Sequence, residues 1–545
     1  MQNYEKRGIY FGDEIPYIYL PLKLMIIGNF MRQKKSSLFL GYFMGLMAVL
    51  LFLSSCSVQK KEKPVALYDT YCASCHIAPS INDLPKSIWE NAILPEMGAR
   101  MGIRENGFDP YTGMSFTEQA AMLQTGIYPS KPLISSEDWQ LLKQYIIAMA
   151  PDSLALTENS IEPMELVQFV PRPITLDAKE GAYFTHLSFD RETNQLNLGD
   201  VYGNIVSYDS KNDTVLRLAR FRSPVVDYDQ GTDASYATMI GSLAPSALNN
   251  GAVFKLSDTK PGPVADGLHR PSNTLVVDLN KDGKDEIVVS EYGDLTGQLS
   301  LFVEKADGTY VKQLLLNQPG TIRVLARDMD KDGLADLVVS TSQGDEGISI
   351  LFQQEDLKFR ADKVLRFSPV YGTSWFEMID YDGDGDDDII TVNGDNADES
   401  YVLKPYHGLR IHLNDGNNQF EEKYFYPFYG ATRVLANDFD KDGDVDFAVL
   451  STFPDYTERP LHTFVYLENN NSNAFEFTPF GIEQSNWAPW FLMEACDYDQ
   501  DGDDDIVLSA FSIGFTAVPE DLSAYWKEKN LDLMVLENKL MTNYQ

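Results

Sequence analysis

Between residues 270 and 540 one order of hydrophobic and polar positions recurs five times: a short apolar run, an acidic turn, then a run rich in β-branched residues. The apolar runs are "NTLVV", "IRVLA", "WFEMI", "TRVLA" and "FLMEA", and the turns after them are "DLNKDGKD", "DMDKDGLA", "DYDGDGDD", "DFDKDGDV" and "DYDQDGDD". Their first aspartates are 50, 52, 58 and 59 residues apart. Short apolar stretches bounded by Asp and Gly read as strands, so each acidic turn joins two strands of a repeating unit. Upstream, 183–221 alternates like four short strands without the acidic code. The next stretch, 223–256, keeps Asp227 and Asp229 but loses the glycine register, which predicts a unit without metal. Seven units result. The last copy shows only three strands, so "MELVQFVPRPITL" (164–176) is expected to supply its outer strand and remove a free sheet edge.

A different period rules 135–151, "SSEDWQLLKQYIIAMAP", where Trp139, Leu142, Tyr145, Ile146 and Met149 fall at helical spacing. Ser135 or Ser136 caps this helix, Glu137 and Asp138 suit its first turn, and Pro151 stops it. A third pattern is the apolar run Leu38 to Leu53, which follows Arg32, Lys34 and Lys35 and ends in small residues before Cys56.

At 545 residues, 44% of them hydrophobic, the chain exceeds one ordinary domain and can bury more than one core. A formal charge of -37 excludes nucleic acid as a partner, because phosphate backbones are bound through Lys and Arg clusters. Four cysteines, Cys56, Cys72, Cys75 and Cys496, are too few for a disulfide scaffold. Cys496 reads as a small buried hydrophobe.

The acidity concentrates in the repeat, as D-x-[DN]-x-D-G-x-x-[DE]. Oxygens at positions 1, 3 and 5 converge because the loop curls at the glycine; a backbone carbonyl at 7 and a carboxylate at 9 complete a shell for a hard cation, which takes about six to eight oxygens. The first loop offers Asp278, Asn280, Asp282 and Glu286; the second Asp328, Asp330, Asp332 and Asp336; the third Asp380, Asp382, Asp384 and Asp388. The last two offer Asp438, Asp440, Asp442 and Asp446, then Asp497, Asp499, Asp501 and Asp505. Five copies of one code point to about five Ca²⁺ rather than to solvated turns. The opening is similar to an EF-hand, but no helix follows. These repeats resemble the FG-GAP/VCBS repeats of integrin-like β-propellers, over roughly 270–540. The resemblance implies an all-β, seven-bladed propeller spanning 163–545, with each acidic loop joining the inner two strands of a blade.

The amino terminus reads as an export signal. Its end, Leu53-Ser54-Ser55-Cys56, resembles the lipobox of bacterial lipoproteins, which implies lipidation at Cys56 and removal of residues 1–55, with translation starting at Met31. The alternative is an uncleaved spanning helix, since the apolar run approaches the roughly 20 residues that a span needs. Residues 56–63 then form a polar tether.

Within "TYCASCHIAP", Cys72, Cys75 and His76 make the C-x-x-C-H signature of covalent c-type haem: two thiols for the vinyl groups and an adjacent imidazole for the iron. A zinc half-site would need a second Cys/His pair and a thioredoxin-like dithiol a βαβ context, and neither is present. Residues 64–151 resemble a small all-α class I cytochrome c domain, with a linker at 152–162. The resemblance implies that the Pro79 carbonyl orients the proximal His76. For the distal ligand Met97, between a proline-started turn and a glycine, is preferred to Met101, one turn on; core packing is the alternative for both. Trp89 is expected to pack on the haem edge.

Five residues before each first aspartate stand Asn273, Arg323, Trp375, Arg433 and Leu492; two further on stand Leu275, Leu325, Glu377, Leu435 and Glu494. Inner strands line a propeller channel, so Arg323, Trp375, Glu377, Arg433 and Glu494 are expected to gather at one mouth, as a ligand site or as ordinary rim polarity. No G-x-S-x-G or H-E-x-x-H occurs, and the histidines outside the haem motif show no ligand spacing. The sequence thus predicts a lipid-anchored protein of the bacterial cell envelope, facing periplasm or cell surface. It carries one haem c and acts as an electron carrier whose propeller docks a redox partner protein or surface ligand. A quinohaemoprotein-like oxidoreductase and an adhesive or assembly scaffold are the alternatives.

Overall fold

The computed structural model describes residues 62–105, 107–155, 162–177, 179–257, 261–396, 402–514 and 516–540. The export segment and Cys56 lie outside them. Among the described residues no helix is long and apolar enough to cross a membrane.

Seven sheets, antiparallel apart from one added strand, stand in a ring, and the first strand of each packs beside the first strands of its two neighbours. These inner strands are Phe184–Asp190, Val225–Gln230, Pro271–Val277, Thr321–Arg327, Thr373–Ile379, Ala431–Asn437 and Trp490–Cys496, here blades 1 to 7. In blades 3 to 7 every residue of the second strand is buried, from Glu286–Glu291 to Asp505–Ala510. Such a strand has sheet neighbours on both faces, which is why its sequence is a continuous Val/Ile/Leu run instead of an alternation. Each fully buried aliphatic side chain contributes roughly 1.5–3 kcal/mol.

Ring closure follows the expectation in outline and differs in detail. Phe169–Ile174 pairs antiparallel with Leu533–Asn538 as the outer strand of blade 7, from Phe169 opposite Asn538 to Ile174 opposite Leu533. Pro171 and Pro173 are tolerated because an outer strand has one unpaired edge. Met164–Glu165, expected in the same strand, instead pairs parallel with Phe480 and Gly481, which gives blade 6 a fifth strand. A helix absent from the sequence reading, Glu520–Lys529, enters blade 7 before its third strand and fastens through Trp526 Nε1 donating to the Asn486 carbonyl at 2.7 Å.

Every inner strand carries a register shift at the same place. One residue is skipped just before His186, Asp227, Asn273, Arg323, Trp375, Arg433 and Leu492. A bulge of this kind re-aims the side chains that flank it. Asp227 and Asp229 therefore belong to an inner strand and not to a remnant acidic loop: they accept the backbone N–H groups of Thr274 at 2.6 Å and Val276 at 2.9 Å, stitching blade 2 to blade 3. Cys496 is buried, as expected.

The helices Lys63–Tyr71, Leu94–Arg100 and Ser136–Met149 share a separate core around Leu84, Trp89, Leu94, Trp139, Leu142 and Ile146, and a fourth helix, Phe116–Thr125, buries Met122 outside it. Ser135 is the cap, its hydroxyl accepting the Asp138 N–H at 3.1 Å. Met149, at the end of the expected stripe, is exposed. This helical domain meets the propeller through loops that join strands 2 and 3 of a blade or one blade to the next: Tyr406 donates to the Asp83 carbonyl at 2.8 Å, Ser246 to Glu118 at 3.1 Å, and Val370 packs against the helical core. Acidic turns follow strand 1, so strand direction puts them on the opposite face of the ring.

Candidate functional site

Cys72 follows the helix Lys63–Tyr71 directly, its N–H still bonded to the Tyr68 carbonyl at 2.9 Å, and both it and Cys75 are free thiols. Cys75 is exposed; burial of Cys72 pushes its thiol up to about 12. His76 has Nδ1 2.8 Å from the Ile77 carbonyl, which leaves Nε2 for a metal. That carbonyl was expected to be the one of Pro79; Tyr68 Oη donates to the Pro79 carbonyl instead, so the proline fixes the turn from another direction. Trp89 is a core residue, its indole N–H donating to the Ile81 carbonyl at 2.9 Å. Met97 and Met101 stand four residues apart at the end of the helix Leu94–Arg100, where the Met101 N–H bonds the Met97 carbonyl at 3.1 Å. Both are partly buried, and Met101 packs against the core that includes Cys72.

In the acidic loops the backbone is left-handed at two positions. Glycine at position 6 has φ between 86° and 100° in all five, from Gly283 to Gly502. Position 4 is also left-handed, at Lys281, Lys331, Gly383, Lys441 and Gln500. The curl brings carboxylates together: Asp328, Asp330 and Asp332; Asp380, Asp382 and Asp388; Asp438, Asp440 and Asp446; Asp497, Asp499 and Asp505 each offer oxygens within 4.8 Å of one another. Asp336, Asp384, Asp442 and Asp501 stand outside these tightest groups. In the first loop Asn280 spends its amide on Glu286 at 3.0 Å, and its side-chain oxygen, like that of Asp278, accepts the Asp282 N–H.

The position-9 carboxylate has a second role that the pattern alone did not reveal. One oxygen of Asp446 accepts the Phe439 N–H of its own loop at 3.2 Å and the Tyr466 hydroxyl at 2.6 Å; the other accepts the Asn469 N–H of the third strand at 2.9 Å. Asp336, Asp388 and Asp505 repeat both backbone bonds. Burial first, and then neighbouring carboxylates, raise Asp388 to about 6 and Asp505 to about 7. The position-4 lysines form a further link. Lys281 donates to the Gly333 carbonyl of the next loop, Lys441 likewise to Gly502, and Lys331 pairs with Asp386 at 2.6 Å. Gly383 offers no such arm, so nothing of the kind ties blade 5 to blade 6.

The bulge residues and those two further on line the channel. Arg323 grips Glu377 through both terminal nitrogens, at 2.5 and 3.1 Å, and donates to the Phe376 carbonyl at 2.7 Å. Its guanidinium lies 4.1 Å from the Trp375 ring centroid, and that of Arg433 lies 4.5 Å from it. Trp375 Nε1 completes the group, donating to Glu377 at 3.0 Å. Four of the five expected mouth residues thus meet. Glu494 sits across the channel on blade 7, raised to about 7 by burial and moderated by His186 and Arg323. His186 and Asp227, missed at this site, bring Nδ1 and Oδ1 to 3.3 Å. The acidic code locates strand starts only in blades 3 to 7; aligning the bulges would have found both.

Residues 278–339 and 328–391 match the family of FG-GAP-like repeats. No curated protein matches the sequence. Among solved structures, the WD40 domain of Neurospora crassa Pan2 is 11% identical, covering 69% of this chain and 98% of that one with a TM-score of 0.42. The β-propeller domain of Myceliophteria thermophila Cps50 (Swd1) is 10% identical, covering 62% and 97% with a TM-score of 0.38. The protein carries FG-GAP-like repeats in an all-β propeller of seven blades.

Proposed function

We propose that this chain is an extracytoplasmic c-type haem electron-transfer protein. In this reading it is lipid-anchored at Cys56 in a bacterial envelope, and its calcium-stabilised propeller docks a redox partner or ligand. The observation that carries the reading is the donor set at the end of the helix Lys63–Tyr71: two free thiols and an imidazole whose Nδ1 already meets a carbonyl. Cys72 and Cys75 would hold the haem covalently and His76 Nε2 its iron, with Met97 or Met101 as the second axial ligand. Bound haem supplies one-electron chemistry. The chain orients its ligands: Tyr68 pins the turn after His76 through the Pro79 carbonyl, and the buried Trp89 and Trp139 keep that turn packed on the helices. Carboxylates raised by burial and by one another are the groups that a divalent cation would relieve, which supports calcium in the acidic loops.

An oxidoreductase reading has one observation in its favour. The helical domain docks on the propeller face from which the inner strands start, the face nearer the polar channel residues.

The test is expression in a host with haem-attachment machinery. The pyridine haemochrome spectrum should report one covalent haem per chain, lost in Cys72→Ser/Cys75→Ser; an equally haem-free parent protein would refute the reading. Met97→Ala should remove the sulfur-to-iron band, and its persistence would move the assignment to Met101. Haem reduction by added substrate alone would favour the oxidoreductase. A chelator should lower the melting temperature of the propeller.

A further inference from the structure

The channel wall is unevenly matched in charge. Arg323 is fully engaged, by Glu377 and by the Phe376 carbonyl. Arg433 is less tightly held: its guanidinium donates to one acceptor, the Thr432 carbonyl at 2.8 Å, and among the described residues its counter-charge, Asp395, acts on it through space rather than in a bidentate grip. Both guanidiniums lie against Trp375, so two like charges share one indole while only Arg323 is gripped directly by a carboxylate. Burial, and then the Arg323 charge, pull the Arg433 pKa down to about 10, and the Asp395 charge offsets this only in part. A charge removed from bulk water without a partner is costly, and a negative group placed beside it removes that cost.

We propose that Arg433, backed by Arg323 and walled by Trp375, binds a small oxyanion, a carboxylate or phosphate group, inside the propeller channel. The planar fork of Arg matches the two oxygens of such a group, and its N–H groups other than the one on Thr432 are available to it. Glu377 is held by Arg323 and by the Trp375 indole, so it does not fill the place. The inference names the ligand class for the propeller's docking role in the reading above. It rests on propeller residues alone, so a protein that never takes up haem leaves it intact.

The experiment is calorimetric titration of the full chain, at constant ionic strength, with inorganic phosphate and separately with succinate. A saturable heat with either probe is expected, and which probe saturates tells a phosphate site from an organic-carboxylate site. Arg433→Met should weaken it by at least about tenfold, since the bidentate contact is lost. A second readout guards against misfolding of that variant: the anion-induced change in intrinsic fluorescence should come from Trp375 and vanish in Trp375→Phe. No saturable heat with either probe, unchanged affinity in Arg433→Met, or a full fluorescence response in Trp375→Phe would each overturn the proposal.

Discussion

Replacing Phe169 by alanine tests whether the closing strand is an integral part of the propeller or an accessory to it. Phe169 is 2% exposed, on a strand that precedes all seven inner strands in sequence. It belongs to blade 7 yet packs edge-to-face on two rings of blade 6, Phe439 at 6.0 Å and Tyr466 at 5.6 Å between centroids. Burying nothing in its place should cost about 3–5 kcal/mol. The two edge-to-face pairs, each worth roughly 0.5–1.5 kcal/mol beyond area, favour the upper end. Val170, the next residue, is 42% exposed and serves as the control, with an expected loss below about 1 kcal/mol for Val170→Ala. Urea unfolding, followed by tryptophan fluorescence and by circular dichroism, should give a lowered midpoint with an unchanged slope for Phe169→Ala. If the two variants unfold within about 1 kcal/mol of each other, Phe169 is not a keystone of closure and the packing argument fails.

Three further outcomes follow from the geometry. Asp446→Ala, measured in chelator so that no cation intervenes, strands two backbone N–H groups and the Tyr466 hydroxyl, and should lower stability by about 3 kcal/mol or more in urea titration. Glu494, raised by burial to about 7, favours its protonated form in the fold, so its contribution is full at acid pH and lost as pH rises through 7. Melting curves from pH 5 to 8 should therefore show a fall that is flatter in Glu494→Gln, and identical slopes would contradict the assignment. Lys331→Met removes an exposed loop-to-loop pair with Asp386 and should lower the melting temperature slightly at low salt and not at all in 1 M salt.

The blades were legible where chemistry repeats. Gly283, Gly333, Gly385, Gly443 and Gly502 mark a position at which the backbone must turn left-handed, so the acidic loops of blades 3 to 7 could be aligned by eye. Position 4 was illegible for the opposite reason, since Lys281, Lys331 and Lys441 adopt the same conformation without a residue that advertises it. The channel was half legible: Arg323, Trp375, Glu377 and Arg433 could be placed by counting back from an aspartate, whereas His186 and Asp227 stand in blades with no such marker. The helix Glu520–Lys529 is an insertion between strands, and a period-based reading tuned to strands passes over it. In the proposed haem reading Cys72, Cys75 and His76 form one local run, whereas a second axial ligand would be chosen through space, and two methionines one turn apart present nearly the same face.

The pairing of Phe169–Ile174 with Leu533–Asn538 joins residues some 360 apart along the chain. During synthesis the strand Phe169–Ile174 emerges early and has no partner until Leu533–Asn538 has followed it. Every intermediate before that moment is an open ring with an unsatisfied edge, exposed to any other strand within reach. The strand Leu533–Asn538 therefore acts as a completion signal: a chain cut short before Leu533 cannot close, however perfectly its first six blades have formed.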